Sequence, residues 1–184
     1  MAMGWRPSDR RHRRRLRGNC ERTVDSLELP SPFDVFDFLA TLAGNRGRPI
    51  VPLPMPATVQ AQLPCGLLAT TDRADYIFYA ADTTALHQQH ILLHEAAHLI
   101  CGHDELAPVP GCSTQLLMPH LAPALVQRVL GRSVYTEPQE HEAELIASLI
   151  HHRAAREDER RTGSQVPASP LESLLTEMGY GFRD

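Results

Sequence analysis

The chain has 184 residues, 42% of them hydrophobic and 22% charged, which suits one soluble domain with a real core and excludes wholesale disorder, a collagen repeat or a pure coiled coil. Its net charge of −4 hides an asymmetry: residues 1–18 carry seven arginines against Asp9, a balance of +6, and the remainder carries 11 arginines against 21 acids, a balance of −10. No apolar run approaches the roughly 18 residues that span a bilayer, and the charged start is unlike a secretory signal, so no membrane segment and a cytoplasmic location are expected. Four cysteines, at 20, 65, 101 and 112, lack CxxC spacing; reduced thiols are expected in place of a disulfide framework or zinc ribbon.

The arginines between Arg6 and Arg17 repel one another, so residues 1–30 read as a basic arm, partly helical or disordered. A solvated tail is the first reading of such an arm, and contact with nucleic acid through phosphate charge is the weaker one. Ser31, Pro32 and Asp34 then start a helix carrying Phe33, Phe36, Leu39 and Leu42 at helical spacing, with Gly44 as its stop. Five prolines between 49 and 64 predict an edge strand or extended connector, because proline donates nothing to a ladder. Gly66–Thr70 and Tyr76–Ala80, either side of the polar TDRAD, read as a β-hairpin of a small antiparallel sheet.

From Thr84 to Cys101 good helix formers run unbroken, with Asp82 or Thr83 as cap and Gly102 at the stop. Residues 104–120 read as loop, 123–131 as a short helix closed by Gly131, and Thr136 as the start of a further helix through a T-E-P-Q capping box. The remainder, 156–184, reads as a flexible tail with a short helix over 171–178.

His94-Glu95-Ala96-Ala97-His98 is an HExxH. On a helix, residues four apart are offset by only about 40°, so both imidazoles project from one face and can share a tetrahedral cation. Glu95 lies about 100° around from His94, too far to join the ligand set and well placed to hold and deprotonate a water. A third ligand is sought in the later helix. There Glu142 shares a stripe with Leu145, Ile146 and Leu149, whereas Glu140 aligns less cleanly with Ala143 and Ala147, and Glu144 falls with Ser148 and His151 on the wet face. A buried carboxylate needs a partner or a metal, so the expected set is His94, His98 and Glu142, with zinc as the ion.

At these two segments the chain resembles the ImmA/IrrE family of zinc metallopeptidases, in which an HExxH helix is followed by one reading roughly E-x-E-A-N-x-F-A. Here that stretch is Glu140-His141-Glu142-Ala143-Glu144-Leu145-Ile146-Ala147. The resemblance covers about residues 31–155. It implies a zincin-like α+β domain, with a small antiparallel sheet packed on the HExxH helix and on a second ligand-bearing helix. It implies His94, His98 and Glu142 as zinc ligands and Glu95 as the catalytic glutamate. Glu144 and Ile146 depart from the family's Asn or Asp and Phe, and the 43 residues between His98 and Glu142 are a long separation that an insertion over 104–131 would explain.

The chemistry expected is hydrolysis of a peptide bond, with Glu95 as general base and proton donor to the leaving amine. His103, His120, Arg132 and Tyr135 are alternative donors to the oxyanion. Otherwise His103, His87 and His90 read first as surface histidines and second as groups that support the metal ligands or face the substrate, Cys101 as a small core residue, and His151-His152 as suited to a helix C-terminus. The hairpin edge offers a place for an extended substrate. The resemblance further implies an intracellular protease of a helix-turn-helix repressor, in some cases the toxin-like partner of that regulator. The alternative is a regulatory module that keeps the zinc fold, binds a transcription factor or DNA through its arginine arm and hydrolyses nothing.

Overall fold

The protein is described by a computed structural model over residues 7–55, 63–103, 126–130 and 135–163. In chain order these residues form α1 (Pro7–Asp25), α2 (Val35–Arg46), β1 (Ile50–Pro54), β2 (Gly66–Thr71), β3 (Asp75–Tyr79), α3 (Ala85–Ile100), β4 (Val126–Leu130) and α4 (Glu137–Gly163). The class is α+β, as expected from sequence. The predicted loop over 104–120 and helix over 171–178, with His120, Arg132 and Cys112, lie outside the described residues.

The sheet order is β1-β3-β2-β4. β2 and β3 form the predicted antiparallel hairpin, with Gly66 opposite Tyr79 and Thr70 opposite Asp75, but β1 joins β3 in parallel, so the sheet is mixed and not purely antiparallel. Residues 126–130, expected within a short helix, instead pair antiparallel with β2. So short a segment cannot sustain a helix on propensity alone, and pairing with an available strand overrides it. The hairpin consequently has no edge: its two strands are interior, and β1 and β4 flank them.

Alternation divides the sheet's side chains between two faces. Leu68 and Ile77 enter the main core with all four helices, whereas Leu67, Ala69 and Phe78 join Met55 in a smaller cluster on the far face. Asp75, fully buried at the start of β3, is held by Arg48 Nε at 3.0 Å and Arg46 Nη2 at 3.4 Å. Arg46 also donates to the carbonyl of Leu99 at 2.8 Å, so one arginine at the end of α2 ties the sheet to the last turn of α3.

Helix ends follow local chemistry with small shifts from expectation. Asp34 caps α2, accepting from the N–H groups of Phe36 and Asp37, and Gly47 in the left-handed region (φ 63°) stops it, three residues past the expected Gly44. The buried face is Val35, Phe38, Leu39 and Leu42, with Phe36 turned outward. Thr84, not Asp82 or Thr83, caps α3. Gln139 reaches back to the N–H of Thr136 at 2.9 Å, which is the capping-box contact expected at the start of α4.

Two expectations at the ends of the domain change. α1 is not a detached arm: Arg11 and Arg13 to Arg15 are exposed, but Cys20 and Val24 are buried in the core, and Arg153 of α4 donates to the carbonyls of Val24 and Leu27. α4 runs on to Gly163, so residues 156–163 are helical and His151-His152 are mid-helix. Among the described residues no helix is long and apolar enough to cross a membrane.

Candidate metal centre

α3 and α4 run antiparallel and close together because the surfaces between them are small. Ala96 and Ala97 on α3 and Ala143, Ala147 and Ala154 on α4 are all buried. With alanines on both facing surfaces, groups on the flanks of α4 can reach the histidine face of α3.

His94 and His98 bring their Nε2 atoms to 3.2 Å of one another. Glu140 completes the group, with Oε2 3.4 Å from His94 Nε2 and Oε1 3.8 Å from His98 Nε2. Ligand atoms about 2.1 Å from a tetrahedral zinc stand about 3.4 Å apart, so this donor set fits such an ion. Burial first, and then His94 and His103, push His98 down to about 3, so its ring is neutral near pH 7 and has a lone pair to offer.

Glu142 does not stand with this pair, contrary to the sequence expectation. Its Oε2 lies 3.5 Å from His103 Nε2, within a separate group formed with Cys101. The reason is helical phase. The buried face of α4 is Ala143, Ile146, Ala147, Ile150 and Ala154, while Leu145 and Leu149 are only partly buried. At 100° per residue Glu140 lies about 60° to one side of that face's centre, and Glu142 about 100° to the other. The bulk of Leu145 and Leu149 pointed to Glu142, whereas the alanines mark the true line of closest approach.

Glu144, assigned to the wet face, shares the flank of Glu140. It is half exposed, yet its Oε2 is 3.4 Å from His94 Nδ1 and 3.2 Å from His90 Nε2. His90 in turn stacks on His151, so neither is a bare surface histidine. On the other side His98 Nδ1 meets His103 Nδ1 at 3.0 Å. His103 is thus buried behind His98, away from the Nε2 that faces Glu140, which is the place of a ring support and not of an oxyanion donor. Tyr135 stacks on His98 at 3.5 Å between ring centres. Glu144 was not expected from sequence as a partner of His94; its position one turn after Glu140 was the available signal.

Glu95 is buried, 4% exposed, on the side of α3 that faces the sheet, and its carboxylate lies against Gly66 at the start of β2. A cleft of about 290 Å³ opens there, lined by Gly66, Ile91, His94, Glu95 and Glu144 among others. Glu95 and His94 therefore border one opening, while His98 and Glu140 are not among its lining residues. Cys101 is partly buried, and burial, then Glu142 and Cys20, push its thiol up to about 12. It is not a nucleophile at neutral pH.

Comparison of the chain with protein-family models, curated proteins and solved structures finds no match.

Proposed function

We propose that the chain is a zinc-dependent endopeptidase that hydrolyses a bond within a protein segment, with His94, His98 and Glu140 as ligands and Glu95 as general base. One observation supports this above the others: two imidazoles from α3 and a carboxylate from α4 converge within 3.8 Å, and one of them, His94, lines a cleft together with the buried Glu95. Three protein donors of this kind leave a position open, as in catalytic sites and unlike closed structural ones. Zinc in such a site lowers the pKa of water toward about 7 and polarises a carbonyl. Glu95 would accept a proton from the attacking water and return it to the leaving amine. His103 meets the outer nitrogen of His98, and the Glu144 carboxylate stands 3.4 Å from that of His94, contacts that favour one orientation of each ring.

An extended substrate adds to a strand edge. Pro52 and Pro54 remove donors from β1, which leaves β4 as the better edge. The resemblance to the ImmA/IrrE pattern suggests a helix-turn-helix repressor as substrate and an intracellular setting. The test is co-expression with the regulator encoded beside the gene. Wild type is expected to cleave it, Glu95→Gln to keep zinc and leave it intact, and Glu140→Gln to lose both zinc and cleavage. Equal cleavage by wild type and Glu95→Gln eliminates the proposal.

The exposed arginines of α1 favour one second reading, a non-catalytic module that contacts DNA or a transcription factor. Replacing Arg13 to Arg15 by glutamine then abolishes the effect on a reporter, while Glu95→Gln does not.

A further inference from the structure

We propose that Cys101, His103 and Glu142 form a second cation site, back to back with the first, for a borderline-soft divalent ion of the zinc class. The ligand atoms of the three residues lie within 4.8 Å of one another, and the His103 to Glu142 separation of 3.5 Å is close to the edge of a tetrahedral zinc site, about 3.4 Å. The elements explain the convergence. Gly102, with φ 69°, turns the chain at the end of α3, so that Cys101 and His103 both fold back toward the flank of α4 that carries Glu142.

The alternative is that His103 only supports His98 and that Cys101 only packs. His103 Nε2 is directed at Glu142, however, and it offers a lone pair to a cation whenever the ring's proton sits on Nδ1. A sulfur, an imidazole nitrogen and a single carboxylate suit zinc or cobalt, not magnesium or calcium, which prefer oxygen throughout. Cys101 and Glu142 are each partly exposed, which gives an ion a way in. The two sites are linked. A ring bound through Nε2 keeps its proton on Nδ1, so two bound ions set two N–H groups against each other across the 3.0 Å contact of His98 and His103. The second ion is therefore held more weakly than the first.

The test is titration of the full chain, stripped of metal under anaerobic conditions, with cobalt(II), read by absorbance. Sulfur ligation gives a near-ultraviolet charge-transfer band that a site of two histidines and a glutamate lacks. This readout is blind to hydrolysis, so it stands or falls apart from the peptidase proposal. Two equivalents are expected, with the band arising from one of them. Cys101→Ser and Glu142→Gln should each bind one equivalent without the band, while circular dichroism matches wild type. Saturation of wild type at one equivalent with no band overturns the site, as does a band that survives in Cys101→Ser.

Discussion

A Cβ on Gly66 would stand 2.5 Å from Glu95 Oε1 and 2.8 Å from Ile91 Cγ2. Both of those side chains are buried on α3, so neither can swing clear, and Gly66→Ala must move Glu95 itself. A displacement on the scale of 1 Å costs on the order of 100-fold in rate. Under the proposed peptidase activity, the expected outcome is a kcat lowered by about that factor with zinc content unchanged, measured on a peptide containing the cleaved sequence; wild-type turnover would show that the contact positions nothing. At this scale HExxH was legible, because the offset of residues four apart on a helix depends on nothing outside the helix. The choice between Glu140 and Glu142 was not, because it turns on which flank of α4 meets α3.

Among the elements, the alanine seam between α3 and α4 governs the site. Ala147 is fully buried there, one turn past Ala143. Ala147→Leu overpacks the seam at a cost of about 1–3 kcal/mol and wedges Glu140 away from the histidines. Thermal unfolding should shift down, and the rise in Tm with zinc expected of wild type under the proposed site should shrink; a variant with wild-type Tm and zinc response would contradict the seam. The elements themselves were largely readable: capped, periodic helices and a hairpin with a polar turn carry their signals locally. β4 carried none, since its state is decided by a partner strand more than fifty residues earlier.

For the whole molecule, one consequence of enclosure is acid sensitivity. His98 in the folded, metal-free chain sits at about 3, below its ordinary 6.5, through burial first and then His94 and His103; burial and His90 lower His151 in the same direction. The unfolded chain binds these protons first as pH falls. Stability from this source is therefore complete above about pH 6.5 and is lost as pH drops from there toward 3. Calorimetry on metal-free protein should give a Tm that falls between about pH 7 and pH 5, where few carboxylates titrate; a flat profile would show that His98 is not enclosed in solution. Enclosure also draws in α1, half of a segment that looked detached by charge: Cys20 and Val24 are too sparse among arginines to announce a buried face until α4 lies beside them. The α+β class, the hairpin and the two histidines with the glutamate between them were legible in the chain alone, because those depend on periods and spacings inside single elements. Only the tertiary structure decided which acid joins the histidines, what supports their rings and where the sheet ends, because each depends on the angle and distance at which one element approaches another.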